Sequence, residues 1–393
     1  MSPKADPARL PVNVLIGADS LLAQRSGVGR MTLEIARAAR MAEGVGRVQL
    51  LMDGRVRPAA ALDMLGEPQA ARRNWKAALV DLPGMGAVRR ARQAWLSRRI
   101  EAALGARVVY YEPNMIARRL AVPTVVTIND LSWHHHPAWH PAERLAWIGR
   151  NLAGTLEQAR RFTALSQFTK DAAVAALGVA AARVDVVPLA PAPAFRPHSA
   201  AEAAAALRRF GLADRRYVLS ISTIEPRKNF DRLFAAHQRL PQALRQRAPL
   251  VIAGGKGWGA GLASRTDAAE RRGELRLLGH VADEELVALC ARAGAFAYVS
   301  LYEGFGLPVI EAMAAGCAVV ASGTTSIPEV AGDAALLVDP LDEAAIAQAL
   351  RQVLEDPALA ERLRAAGLAR AAQFSWQRTV AGLLACWRCT LDA

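Results

Sequence analysis

Short apolar runs alternate with segments of helical periodicity along most of the chain. In the first half, residues 12–16, 48–52, 108–111, 124–128, 162–165 and 184–187 are runs of strand length. The stretch after the first run carries Met31, Leu33, Ile35 and Ala38 and predicts a helix. Residues 167–177 predict a short helix between the last two strands. The pattern then restarts, with strand candidates at 217–221, 250–253, 275–278, 295–299, 318–321 and 335–338. Residues 341–367 are Ala- and Leu-rich and predict helix, and 374–391 predict a last one. Strands alternating with helices build parallel sheets, so the expected class is α/β.

Between the two halves lie Pro188, Pro191, Pro193 and Pro197. Such spacing cannot continue a helix or a central strand and reads as a linker. With 393 residues, two domains are the natural division. The expected domains are 1–190 and 200–371, joined by 191–199, with a helix over 372–393 packing back on the first domain. A ligand cleft is expected between two such halves.

The chain is 52% hydrophobic and 22% charged, the balance of a folded protein with a sizeable core. No run of about 18 apolar residues is present, and residues 1–11 lack the apolar centre of a signal peptide. A cytoplasmic location is expected, with a peripheral position on the inner membrane face as its extension. Four cysteines are too few for a disulfide framework. Cys386 and Cys389 form a lone C-x-x-C pair, read as reduced helix residues.

Charge changes the picture. Residues 1–199 hold 27 Lys and Arg against 15 Asp and Glu, whereas residues 200–393 hold 22 against 21. An excess confined to one half points to a polyanionic partner, with compositional bias as the alternative. Residues 72–119 hold eleven Lys or Arg and three acids. Here Val88, Ala91, Trp95, Leu96, Ile100 and Leu104 recur at roughly helical spacing. Arg89, Arg90, Arg92, Arg98 and Arg99 lie among them. A basic amphipathic helix suits an anionic membrane surface, and an ordinary surface helix fits equally well. No nucleic-acid motif accompanies the charge, so no nucleic-acid partner is expected.

The densest local signal is the run from Glu303 to Glu311, directly after a strand candidate. Gly304 and Gly306 permit close backbone approach to a ligand, and Pro308 suits the first turn of a helix. A helix starting there aims free N–H groups and a positive dipole end at the loop, which favours phosphate. Glu311 falls near the helix mouth, where a carboxylate can take a ribose diol, and Glu303 lies on the loop side. Two glutamates eight apart carry little by themselves. Arg227 and Lys228 follow the strand at 217–221, where a basic pair can reach ligand phosphates or simply sit in a solvated turn. Gly254-Gly255-Lys256-Gly257 follows the next strand but lacks the ending of a Walker loop. Gly279-His280-Val281 follows the one after.

Taken in order, these motifs resemble the retaining glycosyltransferases of family 4, which have the GT-B fold. That fold is two Rossmann-like domains with parallel sheets facing a central cleft. The resemblance runs from Tyr217 to about Trp376 and includes Gly316-Cys317-Ala318-Val319-Val320 and Ile327-Pro328-Glu329. In the first half it rests on Ser26-Gly27-Val28-Gly29-Arg30, Ile128-Asn129-Asp130 and Ala164-Leu165-Ser166. Bacterial mannosyl- and rhamnosyltransferases of surface polysaccharides are the similar members.

The resemblance implies a nucleotide-diphosphate-sugar donor, a GDP-sugar favoured, with no cofactor, and a saccharide acceptor, lipid-linked. It implies that Lys228 and Arg227 neutralise the diphosphate and that Glu311 holds the ribose. Glu303 would hold the donor sugar with the backbone of Phe305, Gly306 and Leu307. Backbone at His280 and Val281 would meet the base, and Gly27 to Gly29 would line the cleft. Two positions depart from the family. Asn129 stands where members commonly carry His, and Ser222 stands near where many have Arg, leaving Arg227 as the second cation. Retention at the anomeric carbon is implied, with Asp130 the nearest group to orient the acceptor or order its own loop. No Asp-x-Asp motif is present, and His134, His135 and His136 are too close in sequence to ligate one ion, so no metal is expected. They are read as loop residues near the acceptor. A non-catalytic binding subunit of an assembly complex and a GT-B sugar-nucleotide epimerase are the alternatives.

Overall fold

The structure is a computed structural model and describes residues 10–22, 27–64, 91, 94–100, 102, 107–255, 257–258 and 266–392. These form two compact units.

The first unit holds a seven-stranded sheet in the order β3-β2-β1-β4-β5-β6-β7. Its strands are β1 Val12–Gly17, β2 Val45–Met52, β3 Arg55–Pro58, β4 Val108–Glu112, β5 Thr124–Ile128, β6 Ala159–Ala164 and β7 Val184–Val186. All pairings are parallel except β2 with β3. The antiparallel edge arises at Asp53-Gly54. Both residues have positive φ, 49° and 71°, and form the two-residue turn whose twist suits a hairpin. The sequence pattern contains no sign of β3 because its side chains are mostly exposed. Every residue of β4 and β5 is buried, as expected of strands covered on both faces.

The second unit holds six parallel strands in the order β10-β9-β8-β11-β12-β13. They are β8 Val218–Ile221, β9 Leu250–Ala253, β10 Leu275–Gly279, β11 Ala295–Tyr298, β12 Val319–Ser322 and β13 Leu336–Val338. Val218, Leu250, Ile252, Val320, Ile346 and Leu350 lie in its core. Helix Ala200–Arg209 opens this unit after the proline-rich stretch. Its start is fixed by a capping box: Ser199 Oγ accepts from Glu202 N at 3.2 Å, and Glu202 Oε2 accepts from Ser199 N at 2.7 Å. The helix expected over 341–367 is two helices, Glu343–Glu355 and Pro357–Ala371. The residue before a proline is pushed out of the helical region, so Asp356 ends one helix and caps the next through Leu359 N at 2.9 Å.

Two segments join a unit distant from them in sequence. Helix Trp376–Asp392 belongs to the first unit. Trp387 is fully buried with its ring 5.6 Å from that of Tyr111, and Thr379 Oγ1 donates to the Pro188 carbonyl at 2.8 Å. Ser132–Ala142, in contrast, belongs to the second unit. Within it Trp258 Nε1 donates to the Trp139 carbonyl at 2.6 Å, and the His135 and His136 rings lie 5.9 and 5.8 Å from Tyr302. The hydropathy pattern contains no sign of this exchange.

Candidate functional site

In the second unit the chain lays down β8, β9 and β10 in one direction, then returns to place β11 on the other side of β8. The loops leaving β8 and β11 therefore meet at the strand-order reversal, the crevice at the carboxyl ends of the strands where α/β sheets bind ligands. Both loops carry charge into it. After β8 comes the short 3-10 turn Pro226–Lys228, closed by Asn229 in the left-handed region at φ 60°. Asparagine tolerates that conformation. Its side-chain amide donates to the carbonyls of Val299 at 3.0 Å and Pro340 at 2.7 Å. Leu301 N donates to the Arg227 carbonyl at 2.8 Å. The two loops are thus stitched together through backbone groups.

Lys228 and Glu303 are both buried, and Lys228 Nζ lies 2.5 Å from Glu303 Oε1. Arg227 Nη1 lies 3.0 Å from Glu303 Oε2 and its Nε 3.0 Å from Glu225 Oε2. Tyr298, at the end of β11, accepts from Lys228 Nζ at 2.8 Å and donates to Glu303 Oε1 at 2.9 Å. Burial is the largest influence on both members of the pair and disfavours charge in each. On Glu303 it is outweighed by Lys228 and Arg227, which hold the carboxyl well below the usual range, at about 2. Lys228 is pushed down by burial and by the adjacent Arg227, against the pull of Glu303. A buried ion pair contributes little net stability, so this cluster points to chemistry rather than to folding.

The remaining residues expected on the donor side lie in the same unit. Glu303 is held at its backbone, with its N–H to Thr325 Oγ1 at 3.3 Å and its carbonyl accepting from Ser326 Oγ at 2.9 Å. Phe305 is buried edge-to-face against Phe374 at 6.0 Å. Gly306 has φ 92°, and a side chain there would run into Ile327. Leu307 and Pro308 then open helix Leu307–Ala314, in which Glu311 is buried. Ser222 follows β8, and its carbonyl occupies the space that a side chain at Gly254 would need, with Gly254 at φ 156°. His280 and Val281 follow β10, with His280 exposed and Val281 buried.

The other expected positions lie in the first unit. Gly27 and Gly29 begin helix Gly27–Met41. Asn129 and Asp130 follow β5, and Asn129 Nδ2 donates to the Pro113 carbonyl at 3.1 Å. The structure thus gathers Arg227, Lys228 and Glu303 into one contact cluster and carries Phe305 to Glu311 on the adjoining loop and helix. Sequence reasoning missed Tyr298 and Glu225. The available signal was a tyrosine ending a strand beside the crevice. His134 and His135 close the short helix Ser132–His135. Cys386 is buried and Cys389 exposed, both as free thiols. Among the described residues no group of three or more His, Cys, Asp or Glu is placed to hold a metal ion. None of the described helices is long and apolar enough to cross a membrane.

Two α/β units built on largely parallel sheets are the architecture of the GT-B fold. The family "Glycosyl transferases group 1" matches residues 206–370, and "Glycosyltransferase Family 4" matches residues 25–190. The chain belongs to the group 1 and family 4 glycosyltransferases, and its activity is sugar transfer. It is 38% identical over 287 residues to O-antigen chain mannosyltransferase B of Escherichia coli, covering 73% of this chain and 74% of that protein. It is 36% identical over 182 residues to the serotype-specific mannosyltransferase WbdA of Escherichia coli, covering 44% of this chain and 21% of that one. Among solved structures, Anabaena HepE in complex with UDP and glucose superposes with a TM-score of 0.67 at 20% identity. That match covers 95% of this chain and 98% of HepE. WaaG, a glycosyltransferase involved in lipopolysaccharide biosynthesis, gives 0.67 at 17% identity over 94% of this chain and 98% of that one. These two likenesses establish the fold.

Proposed function

We propose that the protein is a retaining, metal-independent hexosyltransferase of surface-polysaccharide biosynthesis. It moves a mannose- or rhamnose-type sugar from a GDP-sugar to a saccharide acceptor that is lipid-linked. The observation that carries this reading is the buried Lys228–Glu303–Arg227 cluster in the crevice between β8 and β11. Breaking the anomeric C–O bond leaves a nucleoside diphosphate, and catalysis is chiefly stabilisation of that charge. Lys228, Arg227 and the helix start at Leu307 supply positive potential without a divalent ion. Glu303 takes hydroxyls of the donor sugar, and Glu311 takes the ribose diol. The 38% identity to a mannosyltransferase favours mannose as the sugar.

The test is a panel of GDP-, UDP-, dTDP- and ADP-sugars scored for nucleoside diphosphate release, with and without EDTA. Release from GDP-mannose or a GDP-linked relative, undiminished by EDTA, is the expected result. Release only with Mg²⁺ or Mn²⁺ overturns metal independence. Epimerised donor without transfer indicates an epimerase, and binding without turnover a non-catalytic subunit. The anomeric configuration of the product decides retention.

A further inference from the structure

Each sheet reverses its strand order once. The second unit does so between β8 and β11, and the first between β1 and β4. The first crevice also holds a buried carboxylate. Glu112 is the last residue of β4 and Gly17 the last of β1. The Glu112 side chain lies over Gly17, where any side chain would collide with its Oε2 and Cδ. Gly17 therefore leaves the room that Glu112 fills.

The carboxylate is anchored but not saturated. Oε2 accepts from Tyr110 OH at 2.5 Å, and Oε1 accepts from Asn114 N at 3.1 Å. A carboxylate has about four lone-pair positions, so two remain among the described residues. Beside it, Asn129, just after β5, donates to the Pro113 carbonyl, while its Oδ1 is buried without a hydrogen-bond partner among the described residues. Asp19 and Arg118 also face Glu112, joined to each other by hydrogen bonds of 2.5 and 3.2 Å.

We propose that Glu112 binds a hydroxyl of the saccharide acceptor, with Asn129 Oδ1 receiving a second one. The inference rests on the glycosyltransferase reading. Sugar hydroxyls are donors, and both vacant groups are acceptors at a ligand-binding crevice. A purely architectural role would be met by a neutral side chain at lower cost. Burial pushes the Glu112 carboxyl up to about 7, against the hydrogen bonds from Tyr110 and Asn114. Asp19 adds to the rise, and Arg118 opposes it.

The test uses the full chain, GDP-mannose as donor and n-octyl α-mannoside as acceptor probe. Glu112→Gln is expected to raise the acceptor KM about tenfold or more, the scale of losing a hydrogen bond to a charged group. The donor KM and donor hydrolysis without acceptor should stay within about twofold, a split that general loosening of the fold would not produce. An unchanged acceptor KM, or an equal loss on both substrates, overturns the inference. Calorimetric binding of the glycoside to the unmodified protein without donor is the second measurement, should the variant not fold. Its affinity should rise from pH 6 to pH 8 as the carboxyl ionises, and no binding or a flat profile overturns the inference. Glycoside binding of this kind without any transfer would instead sink the functional reading alone.

Discussion

Lys228 Nζ lies 2.5 Å from Glu303 Oε1 although the two residues are 75 positions apart in the chain. The contact exists because β8 and β11 are neighbours at the point where the strand order reverses. Arg227 holds the other oxygen of the same carboxylate. Arg227 also pairs Glu225, so two cations face two carboxylates, and the cluster holds its cations in place in formal balance.

Removing Lys228 tests that centre. Lys228→Ala is expected to lower turnover by roughly two to three powers of ten, the scale of one lost transition-state contact. Its stability cost should be modest because Arg227 still pairs Glu303. Glu303→Ala should destabilise more, since it leaves the buried Lys228 without its paired carboxylate while Arg227 keeps Glu225, and breaking a buried pair from one side costs about 3–5 kcal/mol. Urea denaturation should therefore rank wild type first, then Lys228→Ala, then Glu303→Ala. Near-normal turnover in folded Lys228→Ala would remove that residue from the site.

Gly306→Ala separates backbone geometry from charge. The left-handed φ of 92° and the adjacent Ile327 side chain both oppose a methyl group there. The loop must shift, and with it the helix start at Leu307. The expected outcome is a donor KM at least about tenfold higher and a cost of roughly 1–3 kcal/mol in thermal denaturation. An unaltered donor KM would show that the helix start does not meet the donor.

The crevice in the second unit was legible because its strands are buried on both faces and read as apolar runs, while Arg227, Lys228 and Glu303 lie in loops directly after them. Tyr298 was hidden because a strand-ending aromatic reads as core until its hydroxyl is seen between Lys228 and Glu303. Glu112 was hidden for a related reason. It reads as one acid in a basic segment, and only the pairing of β1 with β4 sets it over Gly17. The placement of Ser132–Ala142 depends on long-range contacts with Trp258 and Tyr302, which no local pattern encodes.

Charge in the first half supports a third prediction. Of the arginines expected to face a membrane, Arg89, Arg90 and Arg92 lie outside the described residues. Arg98 and Arg99 are exposed in the helical residues 94–100, with the Arg99 guanidinium 4.7 Å from the Trp95 ring. Trp95 and Trp147 are 56% and 46% exposed, unusual for tryptophan. We propose weak binding to anionic vesicles, with each basic residue contributing about 1 kcal/mol and the whole weakened by salt. Sedimentation with anionic and neutral vesicles at low and high ionic strength is the measurement. Equal binding to both kinds, or none to either, would leave the arginines as a solvated surface.

The pH dependence of stability tests whether Glu112 is retained at a cost. Its carboxyl is raised from 4.5 to about 7, chiefly by burial. Between those values the unfolded chain has released the proton that the folded protein keeps. Stability therefore falls as pH rises through that window and levels off above about 7. One pKa unit corresponds to about 1.4 kcal/mol, so the contribution is about 3 kcal/mol between pH 4.5 and pH 7.5. Glu303 behaves oppositely, but its lowered value confines its effect to pH below about 4.5. Glu112→Gln removes the titration while keeping an acceptor for the Tyr110 hydroxyl. Its urea midpoint should match or exceed wild type at pH 8, and the difference should shrink or reverse at pH 5. A variant much less stable than wild type at pH 8 would mean that the ionised carboxylate stabilises the crevice, and the case for a functional reason to keep it would fall.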